Sequence, residues 1–231
     1  MKKQNRAEAN QLLIVYSQDF GKLPVLARSI RKNASKLRSG IELFYLSEIE
    51  FIQGKTYKTL TDVRLIDSFK NLRQDFNTMQ LAFKIAQLAD RLIKEQEKDE
   101  KLWQLLLASF SRLDSFYPCL NTYYLAYYYF LWNLISLIGF APDLYFCREC
   151  KTKVLPERLY LAAEAGGIIC QNCSKKVKLK KPIEIKTIKL LRLILNQSWP
   201  MLSKIDIGNQ DIKELNSLSD YYLSIASDYN Q

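Results

Sequence analysis

The sequence contains no histidine among its 231 residues. Without an imidazole, Ser-His and Cys-His catalysis, His-ligated zinc and imidazole acid–base chemistry are all excluded. The chain also lacks a GxxxxGKS/T phosphate-binding loop, and it has no carboxylate cluster typical of metal catalysis. These absences predict a protein that is not an enzyme.

An apolar leader is also lacking, since the chain begins MKKQNRAEANQ. Signal peptides need an apolar segment, so the disulfide-permissive secreted context is not supported. We therefore expect the cysteines to be reduced thiols or metal ligands.

Acidic residues are too few to balance the basic ones, because 34 Lys and Arg face 24 Asp and Glu, for a net charge of +10. A basic surface attracts polyanions, so nucleic acid and anionic membranes are the first partners to consider. Many proteins are basic without binding either, so the clustering of the charges has to decide.

Charge is missing altogether between Ser115 and Pro142. The apolar part, residues 123–140, is long enough to span a bilayer. Its five tyrosines favour the core of a helical domain, since tyrosine belongs at membrane interfaces and not along a hydrocarbon centre. A membrane-associated protein remains an alternative, although no membrane partner is predicted.

The first third of the chain has the pattern of β-strands. Apolar or alternating runs cover residues 12–16, 23–30, 41–51 and 56–66, separated by turn signals such as Asp19-Phe20-Gly21 and Gly54-Lys55. Four closely spaced strands predict a small antiparallel barrel.

From about residue 69 the apolar period becomes helical. Stripes run through residues 81–93, 103–113, 188–195 and 212–225, and the aromatic segment ends near Gly139, before Pro142. Strands followed by helices predict the α+β class. We place the barrel domain at residues 1–68 and the helical domain at residues 69–231, with a metal-binding element at about 145–176.

Four of the five cysteines form the pattern C-x2-C-x19-C-x2-C, which comprises Cys147, Cys150, Cys170 and Cys173. Two CxxC pairs at this separation are typical of a zinc ribbon. A tetrathiolate zinc site has no open position, so the predicted Zn²⁺ is structural. An iron–sulfur cluster is the alternative. Cys119 stands apart and is predicted to be a buried thiol.

Two basic stretches stand out from the rest of the chain. Residues 22–38 contain six cations and no acid, and they lead from a strand into a loop: Lys22, Arg28, Arg31, Lys32, Lys36 and Arg38. Cationic loops on a small barrel are typical of single-strand nucleic-acid binding, so these six are the predicted DNA-binding residues. Five lysines between positions 175 and 181 follow the last cysteine, and they either offset the thiolate charge or form a second basic surface.

Three segments, taken in order, resemble the RecO family. Asn10 to Leu23, with the basic residues that follow, is similar to the N-terminal barrel of that family. Leu137-Ile138-Gly139-Phe140-Ala141-Pro142-Asp143-Leu144, followed by Cys147-Arg148-Glu149-Cys150, resembles its helix-to-knuckle junction. Gly166-Gly167-Ile168-Ile169-Cys170 resembles the glycine pair before the second knuckle.

The resemblance implies an N-terminal OB-fold, a helical domain and a zinc-binding element. It also implies a bacterial, cytoplasmic, nucleoid-associated mediator of DNA repair and recombination that binds single- and double-stranded DNA and anneals complementary strands. The implied partners are RecR and the C-terminal tail of single-strand-binding protein, with RecA loaded indirectly onto coated strands.

The sequence departs from the family pattern at two points. The family begins with an additional strand ahead of the position matched by residues 6–10, where this chain has a short polar lead, so either one strand is missing or the start is placed too far downstream. The pocket for the single-strand-binding protein tail has no residue-by-residue match. A zinc-ribbon factor that binds nucleic acid or protein in transcription or translation is the alternative function.

Overall fold

The computed structural model describes residues 2–6, 8–32, 35–93, 98–115 and 121–228. Cys119 and part of the charged segment after residue 93 lie outside these residues. The chain divides into two compact units, residues 1–116 and 117–231. Strands dominate the start and helices the remainder, which confirms the α+β class.

Five strands form the sheet of the first unit, in the order β1-β2-β3-β5-β4. Neighbouring strands are antiparallel except for β3 and β5, which are parallel. This sheet is the OB-fold barrel that the sequence predicts. The strands are β1 (Lys2–Arg6), β2 (Asn10–Ser17), β3 (Gly21–Ala27), β4 (Leu46–Gln53) and β5 (Lys58–Asp67).

The expectation of a missing first strand is wrong, because β1 pairs along its whole length with β2. Its side chains are polar and only partly covered, so nothing in their pattern indicates a strand. The backbone ladder to β2 stabilises it instead. Lys3 also donates hydrogen bonds to the carbonyl oxygen of Ile41 (2.7 Å) and to Glu42 (2.9 Å). Polar residues and lysines are typical of strands at a sheet edge, where they discourage pairing with other chains.

The strand predicted from residue 41 begins five residues later, at Leu46. A 3-10 turn at Lys36–Gly40 and a left-handed residue, Phe44 (φ 68°), occupy the intervening segment. Ile41 and Phe44 are nevertheless buried, which explains why the apolar pattern extended beyond the strand.

The two faces of β2 and β3 have different neighbours. Leu13, Leu23 and Val25 point into the barrel and pack with Leu60 in its core. The helices of this unit are α1 (Lys70–Gln74), α2 (Phe76–Leu92) and α3 (Glu100–Asp114). Alternate residues of the two strands point outwards, where Tyr16 and Lys22 contact the start of α3 and the end of α2. Asp75 caps α2 by accepting from the backbone N–H of Thr78, and Asp99 caps α3 in the same way through Leu102.

Two outward residues attach these strands to the helices. The ring of Tyr16 stacks on Trp103, with 6.5 Å between centroids, and its hydroxyl donates to the carbonyl oxygen of Asp99. Burial raises the pKa of Tyr16 to about 12, so the hydroxyl stays protonated. The ammonium of Lys22 donates to the carbonyl oxygens of Asp90 (2.6 Å) and Ile93 (3.3 Å) and pairs with the Asp90 carboxylate at 3.0 Å.

The second unit is built around one almost completely buried helix, α4 (Thr122–Leu137). Its aromatic polar groups find partners inside the unit: Tyr128 donates to the carbonyl oxygen of Ile212, and the Trp132 indole donates to Ser219. These contacts identify the helix as a protein core element, as predicted. None of the helices in the described residues has the length and apolarity needed to cross a bilayer.

A small sheet of order β7-β6-β8 and three further helices complete the second unit. Along the chain, β6 and β7 follow the first cysteine pair, and β8 lies between the second pair and the following helices. These elements are β6 (Leu159–Ala162), β7 (Gly167–Cys170), β8 (Lys181–Ile183), α5 (Ile185–Leu195), α6 (Trp199–Leu202) and α7 (Asn209–Asp228).

Replacement of Lys22 by Ala tests the packing of the barrel against its helices. The change leaves two carbonyl oxygens and the Asp90 carboxylate without their donor, and we expect a loss of about 2 kcal/mol in the free energy of unfolding. Urea denaturation followed by circular dichroism measures it. The matched variant Lys32→Ala, at an exposed position, should change stability by less than about 0.5 kcal/mol. Equal stabilities of both variants would contradict a structural role for Lys22.

Candidate metal centre and nucleic-acid interface

The first cysteine pair lies in a short hairpin after α4. Phe146 and Lys153 form an isolated antiparallel bridge, and the backbone N–H of Cys147 donates to the carbonyl oxygen of Thr152 at 2.8 Å. Lys151 takes a left-handed conformation (φ 60°), and its N–H donates to the carbonyl oxygen of Cys147. This tight turn directs Cys147 and Cys150 to the same side of the hairpin.

The second pair follows the glycine pair. Cys170 ends β7 and begins a turn that Cys173 closes. The N–H of Cys173 donates to the carbonyl oxygen of Cys170 at 3.2 Å. Gly167 bridges to Asp143, and a Cβ on this glycine would collide with the Asp143 backbone. The glycine therefore permits the close approach that brings the second pair beside the first.

All four thiol sulfurs lie within 4.8 Å of one another, so the cluster can hold a metal ion. Tetrahedral zinc with Zn–S bonds of about 2.3 Å requires sulfurs about 3.8 Å apart. The Sγ atoms of Cys150 and Cys170 are 3.9 Å apart, which fits that geometry, and all four cysteines are free thiols. The donor set fits the predicted zinc.

The surroundings of the sulfurs favour thiolates at part of the site. Hydrogen bonds from the side chain and backbone of Thr152 lower the pKa of Cys150 to about 6. Burial raises the pKa of Cys170. The backbone N–H of Cys170 donates to Cys147 Sγ at 3.4 Å. The spacing of the cysteines predicted the four ligands. The hydrogen bonds from Thr152 to Cys150 could not be predicted, since the sequence shows only that Thr152 lies two residues after a cysteine.

The basic stretch follows β3 as a loop at the same end of the barrel as the β1–β2 turn. Five of its six predicted DNA-binding side chains are exposed: Arg28, Arg31, Lys32, Lys36 and Arg38. Among the residues that the structure describes, none of these five side chains has an ion-pair partner. We call these five residues the basic loop.

Apolar anchors and backbone hydrogen bonds hold the basic loop in place. Ile30, only 3% exposed, packs in the barrel core together with the partly buried Leu37. The backbone N–H of Ser29 donates to the Asn10 side chain at 2.9 Å, and that of Arg31 donates to the carbonyl oxygen of Ala9. Ile30 and Leu37 point inwards, and the cations next to them in the sequence are exposed to solvent.

Lys22, the sixth predicted residue, is not part of this surface. It is 8% exposed, and its ammonium is engaged by Asp90 and Ile93. A group in these contacts is not available to a phosphate, so we exclude Lys22 from the candidate interface. Sequence alone could not separate it from its neighbours, since its partners lie about 70 residues later.

The lysines after the cysteine cluster have mixed roles. Lys180 donates to the carbonyl oxygen of Val177, and Lys181 donates to Ser217, so both stabilise the local fold. The side chains of Lys175, Lys176 and Lys178 are exposed. They form a second basic patch, which carries the same charge as Arg28, Arg31 and Lys32 of the basic loop.

Comparison with known proteins covers nearly the whole chain. Residues 1–69 match the family model "Recombination protein O N terminal", and residues 73–226 match "Recombination protein O C terminal". The chain is 31% identical over 218 residues to the DNA repair protein RecO of Dehalococcoides mccartyi strain BAV1, covering 93% of this chain and 83% of the relative.

Two relatives with lower identity also match over nearly the whole chain. The chain is 27% identical to the DNA repair protein RecO of Desulfitobacterium hafniense strain DCB-2, and the match covers 93% of this chain and 78% of the relative. It is 26% identical to the DNA repair protein RecO of Roseiflexus sp. strain RS-1, and the match covers 96% of this chain and 77% of the relative. With both family models matched in order, this chain belongs to the RecO family of DNA repair proteins.

Proposed function

We propose that this protein is a non-enzymatic recombination mediator that binds single- and double-stranded DNA through the basic loop and anneals complementary strands. The observation that carries the proposal is the set of five exposed cations that have no ion-pair partner among the described residues and that lie next to the core-anchored Ile30 and Leu37. These cations would displace the counterions of the DNA phosphates, and such contacts do not depend on the base sequence.

Annealing follows from the same electrostatics. Two complementary strands repel each other through their phosphates, and a cationic surface that neutralises part of this charge allows them to approach. No nucleotide hydrolysis is needed, in keeping with the absence of a phosphate-binding loop from the sequence.

Membership of the family supports the remaining parts of the proposal. The protein would act in the bacterial cytoplasm at the nucleoid, with RecR and the tail of single-strand-binding protein as partners, and would help to load RecA onto coated strands. Residues 1–68 would be the DNA-binding domain and residues 69–231 the helical domain.

We further propose that the metal is Zn²⁺ and that its role is structural. Cys147, Cys150, Cys170 and Cys173 would hold it, and four thiolates leave no position for water or substrate. The ion would link the two cysteine pairs and would take no part in catalysis.

The salt dependence of DNA binding tests the basic loop. For single strands, log K falls about 0.7 per phosphate contact per decade of salt. The variant Arg28→Ala/Arg31→Ala/Lys32→Ala should therefore bind more weakly and reduce the slope by about 2. Fluorescence anisotropy with a labelled oligonucleotide between 50 and about 300 mM salt measures both quantities.

The charge-matched control is Lys175→Ala/Lys176→Ala/Lys178→Ala, which removes three exposed lysines after the metal cluster. It should retain the affinity and slope of the unaltered protein. If this variant loses binding while the basic-loop variant keeps it, the interface has been placed on the wrong surface.

Metal removal tests the structural role of zinc. The variant Cys147→Ser/Cys170→Ser should lose bound zinc and lower the midpoint of thermal unfolding, because metal binding contributes to folding free energy. Its binding to DNA at low temperature should persist, since the basic loop is held by barrel residues. Elemental analysis and differential scanning calorimetry give the readouts. Cys119→Ser, outside the cluster, should keep the zinc; iron in place of zinc would overturn the metal assignment.

Strand annealing tests the mediator activity itself. With complementary fluorescent oligonucleotides, the protein should accelerate duplex formation, both on bare strands and on strands coated with the cognate single-strand-binding protein. The basic-loop triple variant should be slower in both assays. DNA binding without any acceleration would favour the zinc-ribbon interaction factor instead of a mediator.

A further inference from the structure

A second exposed feature of the barrel lies at the end opposite the basic loop. There the turn between β2 and β3 carries Phe20, which is 48% exposed. The other barrel aromatics that the structure describes are buried or partly buried. An open ring offers an apolar, π-rich surface to a ligand that stacks on it.

The ring of Phe20 is held in a defined orientation. It packs edge-on against Phe51, with 5.2 Å between ring centroids, and Phe51 in turn packs against the barrel core. Ser17 Oγ accepts a hydrogen bond from the Phe20 backbone N–H at 3.0 Å, and Gly21 completes the turn with φ 63°. Phe51 already closes the core, so the exposed part of Phe20 is not needed for that purpose.

A cation accompanies the two rings. The ammonium of Lys58 lies 5.5 Å from the Phe20 centroid and 5.2 Å from that of Phe51, and it donates to the Gln53 side chain at 3.1 Å. The neighbouring acid, Asp19, is offset by Lys98 at 3.4 Å. An open aromatic ring beside a cation matches the two parts of a nucleotide, the base and the phosphate.

The position of this cluster also fits a strand that engages the basic loop. The seven residues of β3 lie between Phe20 and Arg28, and these eight steps along the chain correspond to about 26 Å at 3.3 Å per residue. Single-strand sites on OB folds cover roughly 4 to 16 nucleotides. The outward positions of Tyr16 and Lys22 are covered by α2 and α3, so stacking has to use a ring outside that face.

We propose that Phe20, oriented by Phe51 and accompanied by Lys58, is a base-stacking site for unpaired nucleotides. This inference rests on the proposed DNA binding and adds a strand-type preference to it. Phosphate contacts with the basic loop do not require unpaired bases, whereas a base inside a duplex cannot reach the Phe20 ring.

Two substitutions at position 20 separate stacking from packing. Phe20→Leu removes the ring but keeps an apolar side chain against Phe51, and Phe20→Trp keeps a ring. Anisotropy titrations compare both with the unaltered full-length protein on three ligands of equal length: single-stranded oligothymidine, an abasic phosphodiester strand and a duplex. Circular dichroism and thermal melting show whether each variant is folded.

Phe20→Leu should weaken binding to oligothymidine about tenfold, with an unchanged salt slope, and leave binding to the abasic strand and the duplex unaltered. Phe20→Trp should retain the affinity, and its added fluorescence should be quenched by oligothymidine and not by the abasic strand.

Equal affinity of Phe20→Leu and the unaltered protein for oligothymidine would overturn the stacking site alone. An equal loss on the abasic strand would also overturn it, since the effect would then be structural. If the unaltered protein binds none of the three ligands, the proposed function fails, and the stacking site fails with it.

Discussion

The buried contact between Lys22 and the end of α2 determines which barrel surfaces remain available. Its ammonium donates to the carbonyl oxygens of Asp90 and Ile93 at the C-terminal end of α2, where the last carbonyl groups have no partner within the helix. Together with the Tyr16–Trp103 stack, it covers part of the outer face of β2 and β3. OB folds commonly bind oligonucleotides on the face of strands 2 and 3. In this chain the exposed loops at the two ends of β3 remain available.

The loops that remain are held by the same core that closes the barrel. Ile30 and Leu37 anchor the basic loop from inside, and Phe51 supports Phe20 at the other end. A cation or ring on an anchored segment loses less conformational entropy on binding than one on a free chain. The barrel core therefore contributes to the proposed interface although no core residue would contact DNA.

The metal cluster depends on local backbone geometry more than on core packing. A left-handed residue in the first hairpin and the side-chain-free Gly167 let the two cysteine pairs meet. Such features are encoded within a few residues, and for this reason the spacing of Cys147, Cys150, Cys170 and Cys173 predicted the cluster.

Contacts distant in sequence were harder to predict. The polar strand β1 had no apolar alternation, because its stability comes from the backbone ladder to β2. Lys22 looked like the other cations of its stretch, since burial depends on α2. The apolar pattern from Ile41 correctly predicted buried side chains, since Ile41 and Phe44 are buried. The backbone forms a turn there and not a strand, because Phe44 has a positive φ. Strand parity likewise left open which barrel aromatics face solvent.

Lysine footprinting tests the central claim most directly, namely that the basic loop contacts the phosphates. The protein is acetylated with and without a saturating single-stranded oligonucleotide, and the modified positions are quantified by mass spectrometry. Lys32 and Lys36 should lose reactivity when DNA is bound, whereas Lys175 and Lys176 should keep it. Full reactivity of Lys32 and Lys36 in the complex, with protection at Lys175 and Lys176, would contradict the account.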